Sequence, residues 1–237
     1  MRLIKDSRYL LDCLRSRLNG LPMPVSRKAE AWRKRRIAVV SRRGGFLYLP
    51  VTKAANTSIK HAIAEYDNGG NLPSDFVIHE YGAMHAIAWD ESYDFDGFKF
   101  SVVRHPFDRM VSCYRNKVLR SRLHSSLEGF GCFISEMPFL DFLRAVADIP
   151  DEEADIHFAS QSFFLHGTRG CRVDKIVKME ELSESWSEIV VATGLDEMLP
   201  HRNPSKDHPF TPPGDPLLVD IVHKRFRDDF ELFGYKA

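Results

Sequence analysis

Two short stretches of this chain carry the residue types that hold phosphate. The first is Lys53-Ala54-Ala55-Asn56-Thr57-Ser58, a cation followed by three polar side chains with two small residues between them. The second runs Arg104-His105-Pro106-Phe107-Asp108-Arg109-Met110-Val111-Ser112 and joins a guanidinium to a hydroxyl two helical turns on. A lysine, free N–H groups at a helix start and the positive end of the helix dipole favour an anion, and small side chains at 54 and 55 let it approach the backbone. An arginine fork and a hydroxyl from neighbouring elements grip one phosphate bidentately. Side by side at one edge of a parallel sheet, two such corners make a crevice for a doubly phosphorylated nucleotide.

The elements that must position them are legible nearby. Phe46 to Leu49 reads as a buried strand, punctuated by Gly44-Gly45 before it and closed by Pro50. Ile59, Ile63 and Tyr66 then recur at helical spacing until Asn68-Gly69-Gly70, which places Asn56, Thr57 and Ser58 as caps at the helix start. Phe98 to Val103 reads as the second strand, with Pro106 in the first turn of a helix whose stripe is Phe107, Met110, Val111, Tyr114 and Val118. Singly, each feature has a plainer explanation: a capped helix beside a solvated lysine, an Arg104–Asp108 salt bridge, or Ser112 as a small residue at a helix–sheet contact. The nucleoside-triphosphatase loop is excluded, because it needs Gly-x-x-x-x-Gly-Lys-Ser/Thr, and here the lysine comes first with no glycine in the loop.

The paired corners resemble the 5′-phosphosulfate loop and the 3′-phosphate motif of carbohydrate sulfotransferases related to the heparan sulfate 2-O and chondroitin 4-O enzymes. The similarity continues through Asp155-Ile156-His157-Phe158-Ala159-Ser160-Gln161, Asp174 to Leu182, Leu199 to Ser205 and Asp229 to Tyr235. Thr52 departs from the pattern, standing where a proline usually precedes the lysine. The resemblance implies 3′-phosphoadenosine-5′-phosphosulfate as donor, with no metal, and a carbohydrate or glycolipid hydroxyl as acceptor. Lys53, Ala54, Ala55, Asn56, Thr57 and Ser58 then serve the 5′ end of the donor, and Arg104 and Ser112 its 3′-phosphate. Arg202 and Ser205 sit in a polar loop that either closes over the nucleotide or forms a surface turn.

An acceptor hydroxyl must lose its proton, and histidine, with an ordinary pKa of about 6.5, is the natural base. The resemblance puts that base between the corners, where His85 fits and His79 is the reserve. His157 and Gln161, one helical turn apart, are expected to share a face on the acceptor side, or else to be a hydrogen-bonded structural pair. Between the corners, Phe76 to His79 reads as a short strand followed by a loop or brief helix. Residues 121–137 read as an irregular insertion, Phe139 to Val146 as a helix, Arg172 to Val177 as a strand, Leu182 to Val191 as a helix stopped at Gly194, and Asp215-Pro216 as the start of one last helix.

The expected fold is α/β, a P-loop-like three-layer arrangement around a central, mostly parallel sheet (44–237), with a basic helical N-terminal arm (1–43). The chain has 237 residues and no net charge, yet residues 1–43 hold thirteen Lys/Arg against three Asp/Glu, leaving an acidic body. Residues 3–18 form an amphipathic pattern, read as a peripheral helix with solvated charges in preference to one docking an anionic polymer or a membrane surface. The four cysteines lack paired or metal-like spacing, and no apolar run reaches the length of a membrane span. Reduced thiols and the missing Golgi-type anchor point to a cytoplasmic, prokaryotic protein without a nucleic-acid partner. Two rivals are a magnesium-dependent nucleotide kinase and a non-catalytic binder of acidic glycans.

Overall fold

The computed structural model of the protein describes residues 37–74, 76–119, 123–199 and 212–236. The pattern at 3–18, most of the basic arm, and Arg202 and Ser205 lie outside the described residues. Ile37-Ala38-Val39-Val40-Ser41 alternates enough apolar bulk to form strand β1 (Ile37–Ser41), and a turn through Gly45, with φ of 64°, returns the chain into β2 (Phe46–Tyr48). β1 belongs to the sheet, so the boundary expected at residue 43 moves back to Ile37 or earlier.

Helix α1 (Asn56–Asp67) follows β2, then α2 (Ile78–Met84), β3 (Ala86–Ala88) and β4 (Lys99–Val103). The expected strand at Phe76 to His79 is corrected: the helix begins at Ile78 and the strand comes eight residues later in register with β1. The reason is tertiary, since Phe76 packs edge-on to the His61 ring of α1 and the Tyr81 hydroxyl reaches Asp67 at its far end. The chain continues through α3 (Pro106–Lys117), α4 (Ser125–Glu128), α5 (Phe139–Ala147) and α6 (Gln161–Leu165). A two-residue hairpin, β5 (His166–Gly167) and β6 (Gly170–Cys171), leads to β7 (Lys175–Lys178), and α7 (Leu182–Thr193) ends at Gly194 with φ of 74°. The last stripe is split into α8 (Pro216–Arg225) and α9 (Arg227–Phe233), with the break at Phe226.

The described residues form a five-stranded sheet of order β3-β1-β2-β4-β7. β2, β4 and β7 are parallel, while β1 runs antiparallel to both its neighbours. Residues 100 to 103 of β4 are all buried, as a central parallel strand covered on both faces requires. Residues 123–137 are largely irregular apart from α4, yet Leu127, Phe130 and Phe133 are buried, and the latter two rings pack on Phe158. No helix among the described residues is long and apolar enough to cross a membrane.

Candidate active site

β2 delivers the first corner. Val51 is buried, Lys53 has φ of 68° and Ala55 has φ of 53°, so two non-glycine residues adopt the left-handed region within three positions. Such conformations cost about 1–2 kcal/mol each and persist where the surroundings impose them. The N-cap of α1 is Ala55, which makes no side-chain cap. This corrects the expected capping by Asn56, Thr57 and Ser58: all three lie inside the first turn, where the helix itself supplies no carbonyl for their N–H groups. The Asn56 Oδ1 atom is buried without a partner among the described residues.

β4 delivers the second corner beside the first. Leu47 pairs with Lys99 and Tyr48 with Phe100, and the Leu49 N–H donates to the Phe100 carbonyl at 2.9 Å. Both strands therefore leave the sheet at the same edge. Arg104 follows β4, and its Nη1 donates to the Lys53 carbonyl at 3.3 Å. Burial lowers the Arg104 pKa, and the nearby charge of Arg115 acts in the same direction, against Asp108 and Glu180. Among the described residues Arg104 has no ion pair with Asp108. Ser112 lies on α3, 8% exposed, with Arg115 one turn beyond it.

A third element closes on this pair. Thr52 Oγ1 donates to the Ile156 carbonyl at 2.6 Å. Buried Arg109 spans the gap, donating to the carbonyls of Thr52 (3.1 Å), Ile156 (3.1 Å) and Ala159 (2.7 Å). The turn 155–159 is thereby fastened to the Lys53 loop. On it, Asp155 is 1% exposed and accepts from both the backbone N–H and Nδ1 of His157. Burial pushes the His157 imidazolium pKa down, Asp155 pulls it up, and the charges of Lys117 and Lys53 push it down further. Lys117 also bonds His124, whose ring centroid is 6.3 Å from that of His157. Beneath them, burial raises the Cys113 thiol to about 11, so it is protonated at neutral pH.

The structure thus brings Lys53, Arg104 and His157 together and leaves His85 elsewhere. The His85 carbonyl accepts from Val40 N, in the part of β1 that pairs with Leu47, and its ring stacks on Tyr81 at 4.2 Å. Tyr81 in turn holds Asp67, the last residue of α1, whereas Lys53 precedes the first. Along α1 this is a separation of roughly 16 Å, so His85 lies near the end of α1 remote from the Lys53 loop. His79 belongs to α2, its side chain outside the description.

Gln161 is fully buried and does not share a helical face with His157, because α6 begins at Gln161 and His157 sits in the preceding turn. Its Oε1 accepts from Arg104 N at 2.9 Å and its Nε2 donates to Arg104 O at 2.8 Å. Gln161 therefore fixes the backbone of Arg104 and turns no polar atom toward the crevice. Arg109, Asp155, Lys117 and His124 were not singled out from the sequence. Arg109, Cys113 and Lys117 recur every fourth position on a face of α3 outside the expected apolar stripe, and that face is buried too.

Residues 36–236 match the model of the sulfotransferase family, and the chain belongs to that family. It is similar to carbohydrate sulfotransferase 10 of Gallus gallus, with 22% identity over 180 residues, covering 59% of this chain and 47% of the relative. The chain thus spans about half the length of that curated relative. The relative is a vertebrate protein and lends no support to a prokaryotic source. No solved structure matches the chain. Among the described residues no cluster of three or more His, Cys, Asp or Glu has the arrangement of a metal site.

Proposed function

We propose that the chain transfers the sulfuryl group of 3′-phosphoadenosine-5′-phosphosulfate to a carbohydrate hydroxyl, using the crevice between the Lys53 and Arg104 corners. The observation that supports this reading is the contact of the Arg104 guanidinium with the Lys53 carbonyl, because it brings the two corners close enough for one nucleotide to reach both. In this reading the Lys53 ammonium and the first-turn N–H groups of α1, with Thr57 and Ser58, hold the 5′-phosphosulfate. Arg104 and Ser112 hold the 3′-phosphate and so select this donor over ATP. Ala54 and Ala55 keep the approach to the backbone open.

In sulfuryl transfer, negative charge builds on the oxygens around sulfur and on the leaving phosphate. Fixed cations and oriented N–H groups stabilise that charge without reorganising, the largest contribution in comparable group transfers. A histidine takes the acceptor proton. The carbohydrate acceptor rests on the name of the relative and on the motifs shared with that class.

Thermal shift separates this reading from a nucleotide kinase: adenosine 3′,5′-bisphosphate should stabilise the protein where ATP with magnesium does not. Transfer of labelled sulfuryl groups across a glycan panel should then identify the acceptor, and Lys53→Ala should abolish it with the fold intact. Stabilisation by ATP and magnesium alone, or full turnover by Lys53→Ala, would remove the proposal.

A further inference from the structure

We infer that His157, oriented by Asp155, is the base that receives the acceptor's proton; this rests on the sulfuryl-transfer reading above. The position follows from how the turn is held. Thr52 Oγ1 and the Arg109 guanidinium tie residues 156 and 159 to the residue preceding Lys53, so the imidazole is carried by the same rigid unit as the donor loop. The ring is mostly buried, with 13% of the side chain exposed.

The chemistry follows from the tautomer. A carboxylate only accepts, so Nδ1 facing Asp155 Oδ1 carries the hydrogen, and in the neutral ring the basic nitrogen is Nε2. A second bond to Asp155, from the His157 backbone N–H at 3.0 Å, fixes the angle of the pair. The groups facing the ring from the packed elements are Lys53 from the donor loop, Lys117 from α3 and His124 ahead of α4. These and burial favour the neutral imidazole, the form a base requires, while Asp155 stabilises the imidazolium once formed.

The step balances without an oxidant or reductant. The acceptor O–H bond breaks and its proton passes to Nε2 of His157 as the oxygen forms a bond to sulfur. The bond from sulfur to the 5′-phosphate oxygen breaks, and its electron pair stays on adenosine 3′,5′-bisphosphate beside Lys53. The imidazolium then returns its proton to solvent.

The test compares His157→Ala, Asp155→Asn, His79→Ala and His85→Ala in full-length protein, on an acceptor that the wild type sulfates. His157→Ala should lower kcat by about 10²- to 10⁴-fold while stabilisation by adenosine 3′,5′-bisphosphate is retained, and His85→Ala should turn over like wild type. Should His157→Ala fail to fold, His157→Gln takes its place. In wild type kcat/KM should fall as pH drops through an imidazole pKa below about 6.5. Asp155→Asn should move that acid limb lower still, because the carboxylate no longer favours the imidazolium; a merely structural Asp155 would leave it in place. Wild-type kcat in both His157 variants, or loss of turnover in His79→Ala or His85→Ala instead, would overturn the inference and leave the donor reading standing. A wild-type protein that neither transfers sulfuryl groups nor is stabilised by adenosine 3′,5′-bisphosphate would instead sink the donor reading.

Discussion

Arg109 Nε donates to the carbonyl oxygen of Thr52 at 3.1 Å, a bond between residues 57 positions apart. With its two further bonds to Ile156 and Ala159 it makes one unit of three segments: the Lys53 loop, helix α3 and the turn bearing His157. Burial lowers the Arg109 pKa, with Asp229 the largest opposing influence, and a guanidinium in such a place remains charged because its ordinary pKa is so high. Arg109 is in this sense the keystone of the crevice, although it faces no phosphate.

Replacing Arg109 by Ala should therefore cost about 3 kcal/mol or more, since buried carbonyls lose their donor and a cavity opens. Arg109→Lys should recover only part of this, as an ammonium cannot spread to three carbonyls in one plane. Urea unfolding of the three proteins measures it. A loss under 1 kcal/mol in Arg109→Ala would show that the segments hold together without the guanidinium.

The Lys53 loop makes a different prediction. Ala55 occupies the left-handed region at φ of 53°, where a Cβ is strained and glycine is not. Ala55→Gly should gain roughly 0.5–1 kcal/mol after the extra freedom of glycine in the unfolded chain is subtracted. Destabilisation on urea unfolding would mean that this backbone path is relaxed for alanine in the folded protein.

These two residues also mark how far the sequence could be read. Both corners were legible because the signal is local: an apolar run, then a polar cluster, then 3.6-residue spacing. The strand pairing of β2 with β4 followed from those runs. The N-cap at Ala55 was not legible, since residues with good capping side chains stood next to it and the tertiary fit of the loop decided otherwise. Arg109 and Asp155 were hidden for a related reason. Arg109 is held by carbonyls remote in sequence and Asp155 Oδ1 by the turn that follows it, while Asp155 Oδ2 is buried without a partner among the described residues; apolar periodicity treats such residues as surface. The surroundings of His85 were not legible either, because distance along the chain from β4 does not reveal that its ring stacks on Tyr81 near Asp67.

Gln161 should act on the donor through Arg104 alone. Its side chain holds both the N–H and the carbonyl of Arg104, at 2.9 and 2.8 Å, and is itself braced by Asp229. Gln161→Ala should weaken adenosine 3′,5′-bisphosphate about tenfold, the equivalent of roughly 1.4 kcal/mol, while adenosine 5′-phosphosulfate, which lacks the 3′-phosphate, should be little affected. Calorimetric titration of both ligands distinguishes them. Equal weakening of the two would place the Arg104 corner away from the 3′ end.

Asp151 links the turn carrying His157 to α8. Its Oδ1 accepts from Arg225 Nη2 at 2.6 Å and from Ser160 N at 2.8 Å, and the same guanidinium reaches the carbonyls of Val146 and Ile149. Burial alone would raise the Asp151 pKa, but the hydrogen bond and charge of Arg225, with the Ser160 donors, hold it below the ordinary value. A carboxyl whose pKa is lower folded than unfolded binds its proton more readily in the unfolded chain. Its stabilisation is complete above the unfolded value of about 3.9 and is lost as pH falls through the folded value. Asp151→Asn should cost on the order of 2 kcal/mol at pH 7, and the gap to wild type should close as unfolding is measured at progressively lower pH below about 4. A gap that stays constant down to the folded pKa would mean that the pair contributes packing and no charge. Because Arg225 also bonds Ser160 Oγ at 3.1 Å, next to Gln161, the same substitution should loosen the 155–159 turn and lower turnover before the fold itself is lost.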